Sequence, residues 1–241
     1  MATLPPPAFS FFGAEAAFTL LRIGREREPV LIVDRASGQM AALRDFAASR
    51  SAFAPAASVG SGYPGLLGPA PVAYIDAMVR AVLPLIAAHF TGAPVRPARA
   101  RGNFSLVTTP AADLSEDQRA PHVDTADRLQ FATVHFLSAD HADGTAFFRH
   151  RATGFETIDP ERLPSYQAAR AADPAPPPGY CTGDDPAFVR IEAIPARPDR
   201  LILYRAVLLH SGQITALPDR AADPRHGRLT GNLFLQCRMD A

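Results

Sequence analysis

The sequence contains no lysine. All 24 of its basic residues are arginine, and they balance 24 acidic ones. A chain without net charge gives nucleic acid or an anionic membrane surface no electrostatic handle, so neither is expected as a partner. The uniform use of arginine reads as a coding bias, which makes any one arginine a weak signal taken alone. Tryptophan is absent too, and no aromatic cage is evident. Cysteine is scarce: Cys181 and Cys237 make neither a zinc-ligand spacing nor a disulfide framework, and free thiols in a reducing cytoplasm are expected. The opening MATLPPPAFSFFG has no positively charged region and is interrupted by three prolines, which argues against a secretory signal. No apolar run reads as long enough to span a bilayer. The expectation is a soluble, cytoplasmic protein.

What is present is a chain of 241 residues with 47% hydrophobic content, enough to bury a substantial core. The stretches 17–23 and 29–34 read as buried strands, and 37–49 reads as a helix with Met40, Leu43 and Phe46 or Ala47 at helical spacing. Residues 54–71 form a Gly/Pro/Ser loop. A second helix is predicted near 72–90, where Val72, Ile75, Val79, Val82, Ile86 and Phe90 make an apolar stripe and Pro84 should kink the axis. From residue 99 the pattern changes to short strands at 101–107, 128–138, 145–151, 187–194, 200–205 and 227–237. A short helix and a proline-rich loop interrupt them at 161–180. Strands at such intervals argue for a sandwich or barrel. The expected organisation is one domain over 1–241, with N-terminal strands and supporting helices in 1–98 and a mainly β core in 99–241.

The residues that carry chemistry lie in that second part. His-x-Asp occurs twice, as His122 with Asp124 and as His141 with Asp143. Composition alone yields about half of one such match by chance, so context must decide. Asp143-Gly144 is a strong turn dipeptide between two strand patterns, which makes the second pair part of an exposed connection. The first pair follows Pro121 at the start of a long strand, where His122 and Asp124 share a face. A third ligand is available in His210, which ends the buried run RLILYRAVLLH; a satisfied core histidine is its alternative reading. Together the three make a 2-His-1-carboxylate set, which holds Fe(II) on one side and leaves the opposite positions open. In GRLTGNLFLQ, Arg228, Thr230 and Asn232 share one strand face while leucines occupy the other. Such a stripe implies a buried polar lumen where Arg228 needs an anion, either a bound carboxylate or a structural Asp. His135 alternates with Phe131, Thr133 and Leu137 and points into the core or a pocket. His150 and His226, flanked by arginine, read as solvated.

His-x-Asp before a strand, DGTAFF after a turn, ARPDRLILYRAVLLHSG and GRLTGNLFLQ, taken in order, resemble the Fe(II)/2-oxoglutarate-dependent dioxygenases, closest to the prolyl-4-hydroxylase-like branch. The lead-in PVLIVDRASGQMAALRDFA resembles that branch too, so the likeness spans most of 29–237. It implies a double-stranded β-helix (jelly-roll) core with flanking helices. It implies Fe(II) on His122, Asp124 and His210, and 2-oxoglutarate held through its distal carboxylate by Arg228 and Thr230. Asn103 and Ser105 stand where the family often has a Tyr or Asn on the preceding strand, and His135 where the cosubstrate pocket is commonly lined. The implied reaction consumes O2 and hydroxylates an unactivated C–H of a small molecule or peptide side chain, releasing succinate and CO2. Halogenation is disfavoured because Asp124 is present. A catalytically silent jelly-roll binding module and a metal-dependent hydrolase are the alternatives, the second opposed by the Arg228-x-Thr230 element. Arg149 and Arg151, if at the rim, would favour an acidic substrate.

Overall fold

The structure, a computed structural model, describes residues 9–138 and 143–240. A hairpin of β1 (Ala17–Ile23) and β2 (Glu28–Asp34) opens the fold, and β2 is buried along nearly its whole length, as its continuous apolar run requires. Helix α1 (Met40–Arg50) follows and buries Leu43 and Ala47. The stretch read as irregular loop, 54–71, contains two short strands, β3 (Ala54–Pro55) and β4 (Gly65–Gly68), which extend a sheet edge. Helix α2 (Val72–Ile86) carries Pro84 and runs on through a π turn at Ala87–Thr91. Taken together, Val72–Thr91 is long and apolar enough by length and composition to cross a bilayer, contrary to the sequence reading. In this fold it instead packs Tyr74, Met78, Val82, Ile86 and Phe90 into the core.

The remaining elements are β5 (Val95–Val107), α3 (Glu116–Arg119), β6 (Gln130–Phe136), β7 (Thr145–His150), α4 (Leu163–Arg170), β8 (Phe188–Ile194), β9 (Arg200–Arg205), β10 (His210–Gly212) and β11 (Leu229–Met239). β5 starts well before the predicted 101, because its first half is Arg- and Pro-rich, exposed, and invisible to an apolar pattern. The large sheet has the order β1-β2-β9-β6-β11-β5-β4-β3 and the small one β10-β7-β8, with antiparallel pairing throughout. A bridge from His122 to His210 adds a fourth rung to the small sheet.

From β5 onward the chain passes between the sheets in the sequence large, small, large, small, small, large, small, large. Two facing four-stranded groups wound in this way are a double-stranded β-helix, or jelly roll. The fold is therefore mainly β, with α1 and α2 on the outer face of the large sheet and α4 packed against the small one. Leu229, Leu233 and Leu235 of β11 and Leu201 and Leu203 of β9 meet α1 and α2 on that outer face. Phe136, Phe147, Tyr204 and Ile202 fill part of the space between the sheets. The part left unfilled is the candidate site.

His150 departs from its reading as solvated. It is fully buried, with its ring nitrogens 2.9 Å from Thr153 Oγ1 and 2.8 Å from Asp173 Oδ2. Flanking arginines on a strand point to the opposite face and say nothing about the residue between them. Of the second His-x-Asp pair, His141 lies outside the described residues. Asp143 accepts hydrogen bonds from the Thr215 backbone (3.1 Å) and hydroxyl (2.8 Å).

Candidate metal centre

The segment Pro121–Asp124 is zipped onto the chain that leads into β10. His122 and His210 each donate a backbone N–H to the other's carbonyl at 2.9 Å, and the Asp124 N–H donates to the Ala206 carbonyl at 3.0 Å. This pairing brings together three side chains drawn from two distant parts of the sequence. His122 Nε2 lies 3.9 Å from Asp124 Oδ1, His210 Nε2 lies 3.7 Å from Asp124 Oδ2, and the imidazole rings are 4.6 Å apart. The three ligand atoms fall within 4.8 Å of one another, roughly the span of one divalent ion and its ligand shell.

Protonation suits the same role. His210 Nδ1 sits 2.8 Å from the Leu208 carbonyl, which only accepts, so Nδ1 carries the proton and Nε2 presents its lone pair toward Asp124 and His122. Burial pushes His210 down to about 4. His122 is pressed below the ordinary imidazole range by desolvation and then by the adjoining His210. Both rings are therefore neutral near neutrality, the form that binds metal. Burial lifts Asp124 to about 6, a cost that a cation beside it would reverse. Side-chain exposure is 54% at His122 against 16% at Asp124 and 8% at His210, so the group opens on the His122 side.

The triad lines a cavity of about 410 Å³ between the two sheets. Arg228 lines the same cavity and is nearly buried; its Nη2 donates to the Gly144 carbonyl (2.9 Å) and its guanidinium lies 5.6 Å from the centre of the Phe136 ring. Among the described residues it has no carboxylate partner, so the structural Arg–Asp bridge is not what those residues form. Thr230 and Asn232, next on the inward face of β11, also line the space. Asn232 Nδ2 donates to Ser105 Oγ at 2.7 Å, while Asn232 Oδ1 is buried without a hydrogen bond to a described residue.

Tyr63 completes this wall, and sequence reasoning missed it. It comes from the Gly/Pro loop before β4, which the Gln118 side chain of α3 holds through the Gly62 carbonyl (3.1 Å). Among the described residues its buried hydroxyl has no hydrogen-bond partner. Burial pushes the phenol up to about 12, while Arg228, Thr230 and Ser105 pull the other way, which places it among them. The one available signal was that Tyr63 is the sole aromatic residue of 54–71. Among the described residues, a buried guanidinium with no anion stands beside an unsatisfied hydroxyl, a pair with the chemistry to receive a carboxylate.

Three further expected residues lie elsewhere. Asn103 and Ser105 sit behind the wall: Asn103 Nδ2 donates to Ser105 Oγ at 2.7 Å, and Ser105 in turn holds Asn232. His135 does not line the cavity. It is fully buried on the helix side of the large sheet, with Nδ1 3.0 Å from the Tyr74 hydroxyl and Nε2 2.8 Å from Asp199 Oδ1, so both ring nitrogens are occupied. The rim idea for Arg149 and Arg151 also falls. Arg149 pairs with buried Glu156 at 3.2 Å and Arg151 with Asp184 at 3.4 Å, and neither lines the cavity.

Fold and triad together define a jelly-roll protein with a 2-His-1-carboxylate cluster beside an anion cradle. The chain belongs to a family of unknown function, DUF6445, whose model matches residues 14–235. No curated protein matches the sequence. Among solved structures, the chain is similar to SnoN, a non-haem α-ketoglutarate-dependent epimerase of nogalamycin biosynthesis, at 19% identity and a TM-score of 0.46, covering 89% of this chain and 80% of that one. It is also similar to HygX from Streptomyces hygroscopicus, solved with nickel, 2-oxoglutarate and hygromycin B (11% identity, TM-score 0.45, 86% and 82% covered). An N-substituted L-amino acid dioxygenase from Burkholderia ambifaria gives 11% identity and a TM-score of 0.38, with 91% and 93% covered.

Proposed function

We propose that this protein is an Fe(II)- and 2-oxoglutarate-dependent oxygenase that hydroxylates an unactivated C–H bond of a small molecule or peptide side chain. The observation that carries the reading is Arg228: a nearly buried guanidinium without a carboxylate partner among the described residues, in the same cavity as His122, Asp124 and His210. Hydrolysis at a metal site needs no cosubstrate clamp, whereas a dicarboxylate cosubstrate requires a cation for its distal end. When bound, iron and 2-oxoglutarate supply the oxidising power: O2 is consumed, 2-oxoglutarate leaves as succinate and CO2, and one oxygen atom enters the substrate C–H bond.

The chain's own residues supply binding and placement. His122, Asp124 and His210 would hold the metal, with the Leu208 carbonyl fixing the His210 tautomer. Arg228, Thr230 and Tyr63 would hold the distal carboxylate, with Asn232 steadied by Ser105 at their side. Ala132, Val134, Tyr204 and Phe234 form the apolar wall that keeps bulk water from the reacting end.

The test is anaerobic. Fe(II) and then 2-oxoglutarate are added to metal-free protein, and the visible charge-transfer absorption of the chelate is followed, with succinate measured once air is admitted. The reading expects the absorption in the wild type and its loss in His210→Ala. Metal binding without the absorption would favour the hydrolase, and no metal binding would leave a binding module.

A further inference from the structure

The class of substrate can be read from the charges the proposed chemistry leaves over, and this step rests on that proposal. With the triad given to metal and Arg228 to 2-oxoglutarate, one charged side chain remains on the cavity lining among the described residues: Asp117 of α3. It is exposed and makes no hydrogen bond or ion pair with a described residue. Its neighbour Gln118 is committed to the Ser115 backbone and to Gly62, so α3 is fixed with Asp117 at the mouth. Among the described residues no further cation remains on the lining to receive a carboxylated substrate, since Arg149 and Arg151 are spent elsewhere.

A second cavity, of about 520 Å³, adjoins the first: Tyr180 and Ile214 line both. The rest of its wall includes Pro110, Ala111, Ala216 and Leu217 and carries no charged residue. The segments that carry these two shared residues are held in place. The Tyr180 hydroxyl donates to the Thr109 carbonyl at 2.7 Å, and Gln213 Nε2 donates to the Cys181 carbonyl at 2.8 Å.

We infer that the two cavities form one substrate site and that it takes an amine: a protonated nitrogen opposite Asp117, and an uncharged, partly apolar body that reaches past Tyr180 and Ile214 into the second cavity. A carboxylate of the same shape meets Asp117 with like charge and finds no counter-ion among the described residues.

The test uses three probes of one shape: phenethylamine, phenethyl alcohol and phenylacetate. Each is titrated calorimetrically into the full chain with Fe(II) and 2-oxoglutarate under nitrogen. The expected order of affinity is amine, alcohol, carboxylate, with steps of roughly two- to fivefold, as for an exposed charge. Asp117→Asn should bring the amine down to the alcohol. Ala216→Trp, at an exposed position, should fill the second cavity and weaken all three without changing their order. Phenylacetate binding as tightly as phenethylamine, or an amine preference that survives Asp117→Asn, overturns the charge assignment. Unchanged affinity in Ala216→Trp overturns the shared site, and no binding by any probe overturns both. Visible absorption read on the same samples separates the two readings: amine preference without the chelate band sinks the cosubstrate proposal alone, and the band without the preference sinks this one alone.

Discussion

His122 and His210 face each other as a mutual backbone pair, each donating to and accepting from the other at 2.9 Å. In an antiparallel ladder, two residues that exchange both bonds project their side chains to the same side. That is why the imidazoles meet, and why Asp124, two residues along the same extended segment, meets them too. Removing one member should leave the backbone pair intact. His210→Ala and Asp124→Ala should each lower Fe(II) affinity by more than the roughly 10- to 100-fold that an outer partner costs. The melting temperature of the metal-free protein should change little. Normal Fe(II)-dependent succinate formation in Asp124→Ala would exclude the triad.

Arg228 and Tyr63 make separable contributions to the cradle. Arg228→Ala removes the cation from a nearly dry site, and 2-oxoglutarate affinity should fall roughly 30-fold or more, as for truncation of a buried charge pair. Arg228→Lys should restore little, because an ammonium lacks the planar fork. Tyr63→Phe removes one hydroxyl whose expected partner is charged, so the loss should be about tenfold. In both variants Fe(II) affinity should hold. Equal 2-oxoglutarate affinity in Tyr63→Phe, measured by titration of the chelate absorption, would remove Tyr63 from the cradle.

These residues differ in how legible they were. β6, β9 and β11 announce themselves through alternation or continuous apolar runs, and His122-x-Asp124 is a local pattern, so the fold class and the three residues that the fold brings together could be read from the chain. The His122–His210 pairing could not: β10 has three residues and the bridge is isolated, too short for any period. Tyr63 was hidden because a tertiary contact, Gln118 to Gly62, fixes its loop. His135 shows a different limit. Alternation groups it correctly with Phe131 and Thr133, but periodicity does not say which face of a strand meets the lumen. Here that face carries Ala132 and Val134, and the His135 face meets α2.

His135 has a structural consequence of its own. Its partner Asp199 also accepts from Ser37 and Gly38, and these bonds outweigh burial to hold the Asp199 carboxyl down to about 2. A depressed carboxyl stabilises the fold at every pH above its unfolded value, and that contribution fades as pH falls through the folded value. The gap implies about 2 kcal/mol, present at neutral pH and lost between about pH 4 and about pH 2. Urea denaturation of wild type and Asp199→Asn should therefore differ near neutrality and converge in acid. A difference constant with pH would show that Asp199 acts through shape rather than charge.

Gly24 offers a sharper test of how the N-terminal hairpin joins the jelly roll. It sits at φ 64° in the turn between β1 and β2, and a Cβ there would collide with the Glu156 carboxylate. Glu156 is buried and accepts from the Arg25 and Glu26 N–H groups at 3.0 and 2.9 Å, and from Arg149. Gly24→Ala must therefore strain the backbone and push this carboxylate off its three donors. About 1–3 kcal/mol of stability should be lost, from the left-handed conformation and the broken contacts together. Arg27, at φ 58° in the same turn, tests the backbone part alone: Arg27→Gly should stabilise slightly by relieving that strain. If Gly24→Ala melted like wild type, Glu156 would not be what fixes the hairpin to the small sheet.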